Sequence, residues 1–506
     1  MAVLSESSGP SEISPPPPEN VVQAIVPLPA SITSVRFPSY TAQGSRILAA
    51  ATSNDFSGTQ LVSFAEDGTD LRCLTCGSWT GPELLKPIAF PDGRRVLVRI
   101  GAQSSTVPSD HGVVECAPSV TDCRRATVVP IVPPSGSDPN VLQDQREFRV
   151  SPDGVHVGLT QVRRSATGRP AGAGVVGRLV RRAQSYHVDD ARVVVADAGE
   201  LKGFTPDGKS IIYSRYLGAF EAGNPDVVTV DLRTGRERRL TTALDWDEDV
   251  EISPAPYRGR NWMVVGSGRG TGLLETMSQV RRPPIIEAGI QALPFMAFAT
   301  RRPQIIEPWL VDTDDARGGY LGQPLAPGAL DAGWDSRANF EWKPDGTAVV
   351  FWQRRLDDSR SRVVIARLTG RAPATHPSPR PVSPPRWAPP LAGYLPDDPE
   401  LPASLKGKVS GEIRVVQRPS SQPNFDSFIE VTYINYADQP GFVLNGVERS
   451  DFASSGLDSL YNADLRVSGE HQGYLRADGV RIRPVSMQGT IESQVDGRHL
   501  TLGPLP

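Results

Sequence analysis

Residues 201–215 read LKGFTPDGKSIIYSR, and residues 226–242 read DVVTVDLRTGRERRLTT. Pro206 presets φ for a tight turn, Asp207 can bond its own backbone two residues on, and Gly208 accepts positive φ. The flanking apolar runs are therefore the arms of a hairpin. A second hairpin follows, turning at Arg233-Thr234-Gly235, so this stretch is a unit of four short strands. The same signature recurs as IAFPDGRRVLVRI around Pro91, FRVSPDGVHVGLT around Pro152 and FEWKPDGTAVVFW around Pro344. VEISPAPYRGRNWMVVGS keeps Ser253-Pro254 and loses the Asp-Gly. One Pro-Asp-Gly is only a turn; a series of them between strand-like runs is a repeat, and a repeat decides the fold.

Working outward from these turns gives six units. The first has no Pro-Asp-Gly but keeps the shape in SVRFPSYTAQGSRILAAATS and TQLVSFAEDGTDLRCLTCG. The fifth is swollen by a segment in which RRPPIIE (Arg281–Glu287) and RRPQIIE (Arg301–Glu307) are near-duplicates. The apolar stretch between them reads as a docking patch or as a flap folded over the rim. Asp312-Thr313-Asp314-Asp315 lacks the glycine and distant glutamate of a calcium loop and reads as a turn. The sixth unit is short of a fourth strand, because the chain after Leu368 turns proline-rich and proline cannot donate to a ladder. Residues 21–27 (VVQAIVP) are a spare strand at the other end of the chain and are expected to close the last blade.

The expected fold is all-β: a six-bladed β-propeller followed by a C-terminal antiparallel β-sandwich or small barrel. The boundaries are 1–20 for a disordered leader, 21–371 for the propeller, 372–404 for a semi-rigid Pro-rich linker and 405–506 for the last domain. With 506 residues, 47 Gly and 48 Pro, turn residues punctuate almost every apolar run. A formal net charge of −4 offers no basic excess for a phosphate backbone, which argues against nucleic acid. No apolar run reaches the length of a transmembrane helix, and no signal peptide is visible at the start.

The repeated x-[Ser/Thr]-Pro-Asp-Gly with its apolar strand, together with the RERRLTT ending of the fourth unit, resembles the WD40-like (PD40) repeat of TolB-type six-bladed propellers. The resemblance spans about Ser34 to Leu368. It implies a protein- or peptide-binding or scaffold module of the bacterial envelope or exterior, periplasmic or secreted. The same repeat also forms sugar-acid lyases and precedes the catalytic domain of prolyl-oligopeptidase-type peptidases. The alternative is therefore a propeller enzyme, a lyase or glycan-active protein with a metal at the channel mouth, or a glycan-binding module. The region from 405 matches no family recognised here.

The chemistry visible in the sequence is sparse. There is no Gly-x-Ser-x-Gly elbow and no His-Glu-x-x-His, so no catalytic residue, metal or cofactor is assigned. An enzyme reading would require three or more of His111, His187, Asp55, Glu221 and Asp249 to converge within coordination distance. Trp79, Trp246 and Trp334 occupy comparable places before their turn prolines and are expected on loops entering a blade. With Asp247, Asp335, Tyr216, Arg269, Arg354 and His111 they form the candidate binding set at the channel mouth, for a protein, a peptide or a glycan. Alternatively, each Trp packs between adjacent blades. Cys73, Cys76, Cys116 and Cys123 fit two local disulfides, a zinc site or free thiols; paired disulfides would suit an oxidising compartment.

Overall fold

A computed structural model describes residues 15–101, 110–134, 138–168, 170–196, 199–215, 222–286, 306–314, 320–358, 360–375, 381–398, 401–453, 458–483 and 486–504. Its architecture is almost wholly β. Six antiparallel meanders of four strands follow one another, beginning at Ile32, Leu84, Val141, Glu200, Asp247 and Trp334. The second and third units are also joined at their outer strands, by a short parallel pairing of Tyr186 and His187 with Ile131 and Val132. The first strand of each unit is innermost. These inner strands follow one another around an axis, those of units two and three meeting through Lys86 and Glu147, and that of unit six returns to that of unit one. A ring of radially stacked meanders is a β-propeller.

Each Pro-Asp-Gly turn has the predicted chemistry. Asp92, Asp153, Asp207 and Asp345 each accept from the backbone N–H two residues on, at 2.8–3.1 Å. The following glycines have φ between 65° and 75°. The turns also touch one another. A Cβ on Gly154 would lie 2.9 Å from Pro91 of the preceding unit, and one on Gly44 would lie 3.1 Å from Pro344 of unit six. At these two junctions the proline of one turn seats on the glycine of the next, and Pro254 lies more loosely, at 3.8 Å, beside Gly346, while Gly93 meets Gln43 instead.

Val21–Ile25 lies antiparallel to Ser361–Leu368 as the outermost strand of unit six. Glu19 and Arg371 secure it with a buried ion pair at 2.6 Å, and the Arg371 guanidinium rests against Tyr257, Trp262 and Trp342. Residues near the two ends of the propeller therefore close its ring.

The Pro-rich segment is strapped to the propeller. Ala374 donates to Asp345 O and Val382 to Asp153 Oδ2, both in Pro-Asp-Gly turns. Trp387 Nε1 reaches Leu232 O, Pro390 bridges Arg192, and Asp398 accepts from Ser165 and Thr167 on the far side of unit three. The strap thus starts on the turn face, climbs the edge of units three and four, and delivers the chain to the opposite face.

The C-terminal region was expected to be a sandwich or a small barrel. Its nine strands, from Ser404–Lys406 to Arg498–Leu502, form one continuous antiparallel sheet. Alternation is strict where it matters: Tyr461, Ala463, Leu465 and Val467 are buried, and their neighbours are half-buried or exposed. A one-faced sheet needs a cover, and among the described residues no second sheet supplies it. The cover is the propeller's fifth-unit insert. Leu273, Leu274, Met277, Val280, Ile285 and Ile286 share one core with Ile413, Val431, Tyr433, Leu465, Leu475, Val480 and Ile491. The rest of the insert, 287–305, lies outside the described residues.

Candidate functional site

The inner strands carry a feature that repeats as regularly as the turns. Each has a register shift near its middle: between Arg36 and Ser39, Leu85 and Ile88, Arg146 and Arg149, Leu201 and Gly203, Glu248 and Val250, and Arg337 and Glu341. Five of the six shifts contain a non-glycine residue at positive φ: Phe37, Lys86, Glu147, Asp249 and Asn339. A bulge re-aims side chains out of the alternating pattern. Here it helps bring a set of charges to the propeller axis.

These charges link each unit to the next. Arg36 meets Glu83 at 3.2 Å, Lys86 meets Glu147 at 3.0 Å, and Arg146 pairs with Glu200. Lys202 meets Glu248 at 2.9 Å and Asp249 at 3.1 Å. Glu251 Oε2 accepts from the Trp342 backbone N–H at 2.6 Å, and Glu341 accepts from that of Tyr40. Burial opposes ionisation of Glu147, yet Lys86, Arg149 and Lys202 outweigh it and hold the carboxyl well below its ordinary range. Glu251 and Glu341 show the reverse. Burial raises both, Glu251 to about 8, and the charge of Glu251 raises Glu341 further. The axis is thus cationic toward units one to three and acidic toward units five and six.

The candidate mouth residues divide into two environments. Trp246 is 4% exposed and packs in the C-terminal core, its Nε1 donating to Glu248 at 2.9 Å. Asp247 and Arg269 form a fully buried ion pair at 2.9 Å. All three are buried, Trp246 beneath the C-terminal sheet. Trp334 and Asp335 open the inner strand of unit six rather than standing on a loop before it, and Asp247 likewise begins the inner strand of unit five. The strands run longer than the sequence suggests because pairing resumes beyond the bulge. Trp334 is half-buried, with Arg362 3.9 Å and Arg355 5.5 Å from its ring. Asp335 meets Arg337 at 2.9 Å and the exposed Arg354 at 3.4 Å. Trp79 is half-buried against unit two, with Nε1 on Pro82 O. His111 is buried on the third strand of unit two, paired with Arg99 of the second strand and 5.2 Å from the Phe148 ring. Tyr216 and Glu221 lie outside the described residues.

His187 pairs with Ser185 on an outer strand, Asp55 sits in a turn, and Asp249 is bound to Lys202, so these do not meet His111. Among the described residues no three His, Cys, Asp or Glu side chains are grouped to hold a metal ion. Asp312 pairs with Arg260 and accepts from Asp314 N–H, as a turn does. Cys73 is bonded to Cys76, and Cys116 to Cys123 across a hairpin. No helix among the described residues is long and apolar enough to cross a membrane.

The charged axis was missed in the sequence, although a signal exists. The positive-φ residue stands seven places before the turn glycine in units one, two, three and six: Phe37 before Gly44, Lys86 before Gly93, Glu147 before Gly154 and Asn339 before Gly346. A charge at that distance marks the bulge in units two and three, whereas Phe37 and Asn339 give no such signal.

No family model matches the chain, and no curated protein matches it. Solved structures do. A TolB-like protein of Agrobacterium tumefaciens aligns at 18% identity over 60% of this chain and 82% of its own, with a TM-score of 0.36. An oligogalacturonate lyase of Vibrio parahaemolyticus aligns at 12% over 69% and 97%, TM-score 0.37. A Hadza microbial sialidase aligns at 10% over 67% and 66%, TM-score 0.39. With TM-scores this low, the likenesses carry no argument about activity, ligand or partner.

Proposed function

We propose that the chain is a six-bladed, non-enzymatic binding module of the cell envelope or exterior, which engages a protein or peptide partner at the unit-six side of its loop face. One observation carries this reading: Trp334 flanked by Arg355 and Arg362. Arg355 is paired with Asp357 at 2.9 Å, whereas Arg362 is bonded to the amide oxygen of Gln353 at 2.8 Å and, among the described residues, to no carboxylate. Burial and the neighbouring Arg355 both disfavour its charge. A carboxylate from outside would relieve that repulsion, and Leu356, 48% exposed, offers an apolar contact beside it. An aromatic ring, an uncompensated guanidinium and an aliphatic side chain together suit an acidic, partly apolar peptide segment. The two disulfides support an oxidising compartment.

The test is peptide-display selection on the immobilised full chain, counter-selected on a Trp334→Ala/Arg362→Ala variant. Enriched peptides are expected to carry Asp or Glu next to an aliphatic residue and to bind the variant at least about tenfold more weakly. Selection of the same peptides by both proteins, or of none, overturns the reading.

A further inference from the structure

The two disulfides stand in opposite settings. Cys116 is 5% exposed and lies in the core between units one and two, among Leu48, Leu61, Leu74 and Val96, and Cys123 packs against the same cluster. Cys73 is half-buried at the end of unit one, whereas Cys76 stands exposed on the loop that leaves it. The approach to Cys76 is open: beyond its chain neighbours, a Cβ on the following Gly77 would meet nothing within 4 Å.

The loop is held independently of its bridge. Leu74 N–H donates to Leu61 O at 2.8 Å. The buried Thr75 hydroxyl donates to Gln60 Oε1 at 2.7 Å and accepts from the Leu61 N–H at 3.1 Å. The N–H groups of Ser78 and Trp79 both donate to Thr75 O. These bonds fix the chain between the two cysteines and just beyond them. A bridge between residues only three apart also restrains the unfolded chain little, so Cys73–Cys76 is a weak strut. It is better placed for chemistry. Disulfide exchange needs access to one sulfur and a stabilised leaving group at the other. Cys76 offers the access, and Cys73 Sγ accepts the backbone N–H of Cys76 at 3.1 Å, a donor that favours a thiolate there.

We propose that Cys73–Cys76 is a site of thiol–disulfide exchange with an external dithiol. A thiolate of the dithiol attacks Cys76 Sγ. A new S–S bond joins the dithiol to Cys76, the Cys73–Cys76 bond breaks, and its electron pair leaves on Cys73 Sγ, beside the Cys76 N–H. The second thiol, as its thiolate, then attacks the sulfur that the dithiol had attached to Cys76. This closes the disulfide of the former dithiol and releases Cys76 as a thiolate. The dithiol is oxidised by two electrons and the bridge is reduced by two. The two protons that the dithiol loses end on the two cysteines. Cys116–Cys123, packed in the core, takes no part.

Dithiothreitol is the probe. The full chain is sampled over time in dithiothreitol without denaturant, trapped by alkylation and mapped by peptide mass spectrometry. Cys73 and Cys76 are expected to appear as free thiols at least about tenfold faster than Cys116 and Cys123, with the circular dichroism of the fold unchanged. With glutathione, a monothiol that cannot supply the second step from the same molecule, the mixed disulfide trapped by acid is expected on Cys76. The Cys73→Ser/Cys76→Ser variant is expected to lose less melting temperature than Cys116→Ser/Cys123→Ser. Equal rates for the two bridges, earlier opening of Cys116–Cys123, glutathione mainly on Cys73, or a larger melting loss at 73 and 76 overturns the proposal.

Discussion

Trp246-Asp247 and Trp334-Asp335 are the same dipeptide at the same place in two units, and they end in opposite surroundings. In unit five the indole lies in the core of another sheet and the carboxylate is locked to Arg269 with no solvent contact. In unit six the indole is half-buried between guanidinium groups and the carboxylate serves a solvent-exposed arginine. Nothing in the local sequence separates them. The difference is made by residues 273–286, which draw the C-terminal sheet over the unit-five side. Position within a repeat thus determines where a side chain starts, and the cover above it determines what the side chain can do.

The strongest way to break the comparison is to unseat the cover. Arg282 is buried and reaches Glu448 at 2.9 Å, and Tyr433 and Tyr461 donate to the same carboxylate at 2.7 and 2.8 Å. Arg282→Ala leaves that carboxylate uncompensated, and removing one partner of a buried pair costs about 3–5 kcal/mol. Thermal unfolding of the full chain is expected to split, with the C-terminal sheet melting first.

The two tryptophans come next. Trp246→Ala opens a cavity in the shared core and is expected to cost about 3–5 kcal/mol in denaturant unfolding. Trp334→Ala is expected to cost about 1 kcal/mol or less and to show its effect in peptide binding instead. Equal losses of stability would erase the distinction between the two sides.

A smaller effect of opposite sign belongs to Asp245. Burial, with the nearby Glu275 adding repulsion, raises its carboxyl to about 7. Thr271 Oγ1 lies 3.0 Å from Asp245 Oδ2 and 2.6 Å from Gly268 O. One hydroxyl hydrogen cannot serve both, so a protonated Asp245 donating to Thr271 completes the network. The folded state then binds more protons than the unfolded state between the ordinary carboxyl range and about pH 7. Stability falls as pH rises through that window and stays low above it. Asp245→Asn mimics the protonated form. It is expected to raise stability at pH 8 by roughly 1–3 kcal/mol and to flatten the slope between pH 5 and 8. A steeper slope in the variant would contradict this.

The smallest effect is expected at Arg354. Its side chain is exposed and its ion pair with Asp335 is long. Arg354→Ala should change stability by no more than about 0.5 kcal/mol. A larger loss would mean that the unit-six side is as tightly built as the unit-five side.

The turns and the short strands were legible because they depend on local chemistry. Pro, Asp and Gly at 206–208 act within four residues, and their Asx hydrogen bond forms wherever the strands pair. The inner-strand bulges were only half legible. Lys86 and Glu147 stand in strand-like runs, but their inward aim depends on the neighbouring inner strand. The covered sheet was not legible at all. Seven strand-like runs after Lys406 specify a sheet with one apolar face. Whether a second sheet or another segment covers it depends on where Leu273–Ile286 arrives, more than a hundred residues earlier in the chain.

The sequence alone determined the repeat, because periodic turn residues and alternating apolar strands are properties of neighbours along the chain. It also specified the cysteine pairs as candidates, since Cys116 and Cys123 flank a single turn. The tertiary structure decided which part of the loop face is sealed, because burial depends on packing between distant segments. It likewise decided that charges from six inner strands meet at one axis. Ring closure brings Pro344 onto Gly44 and Glu341 to Tyr40, contacts between residues some three hundred positions apart that no local pattern encodes.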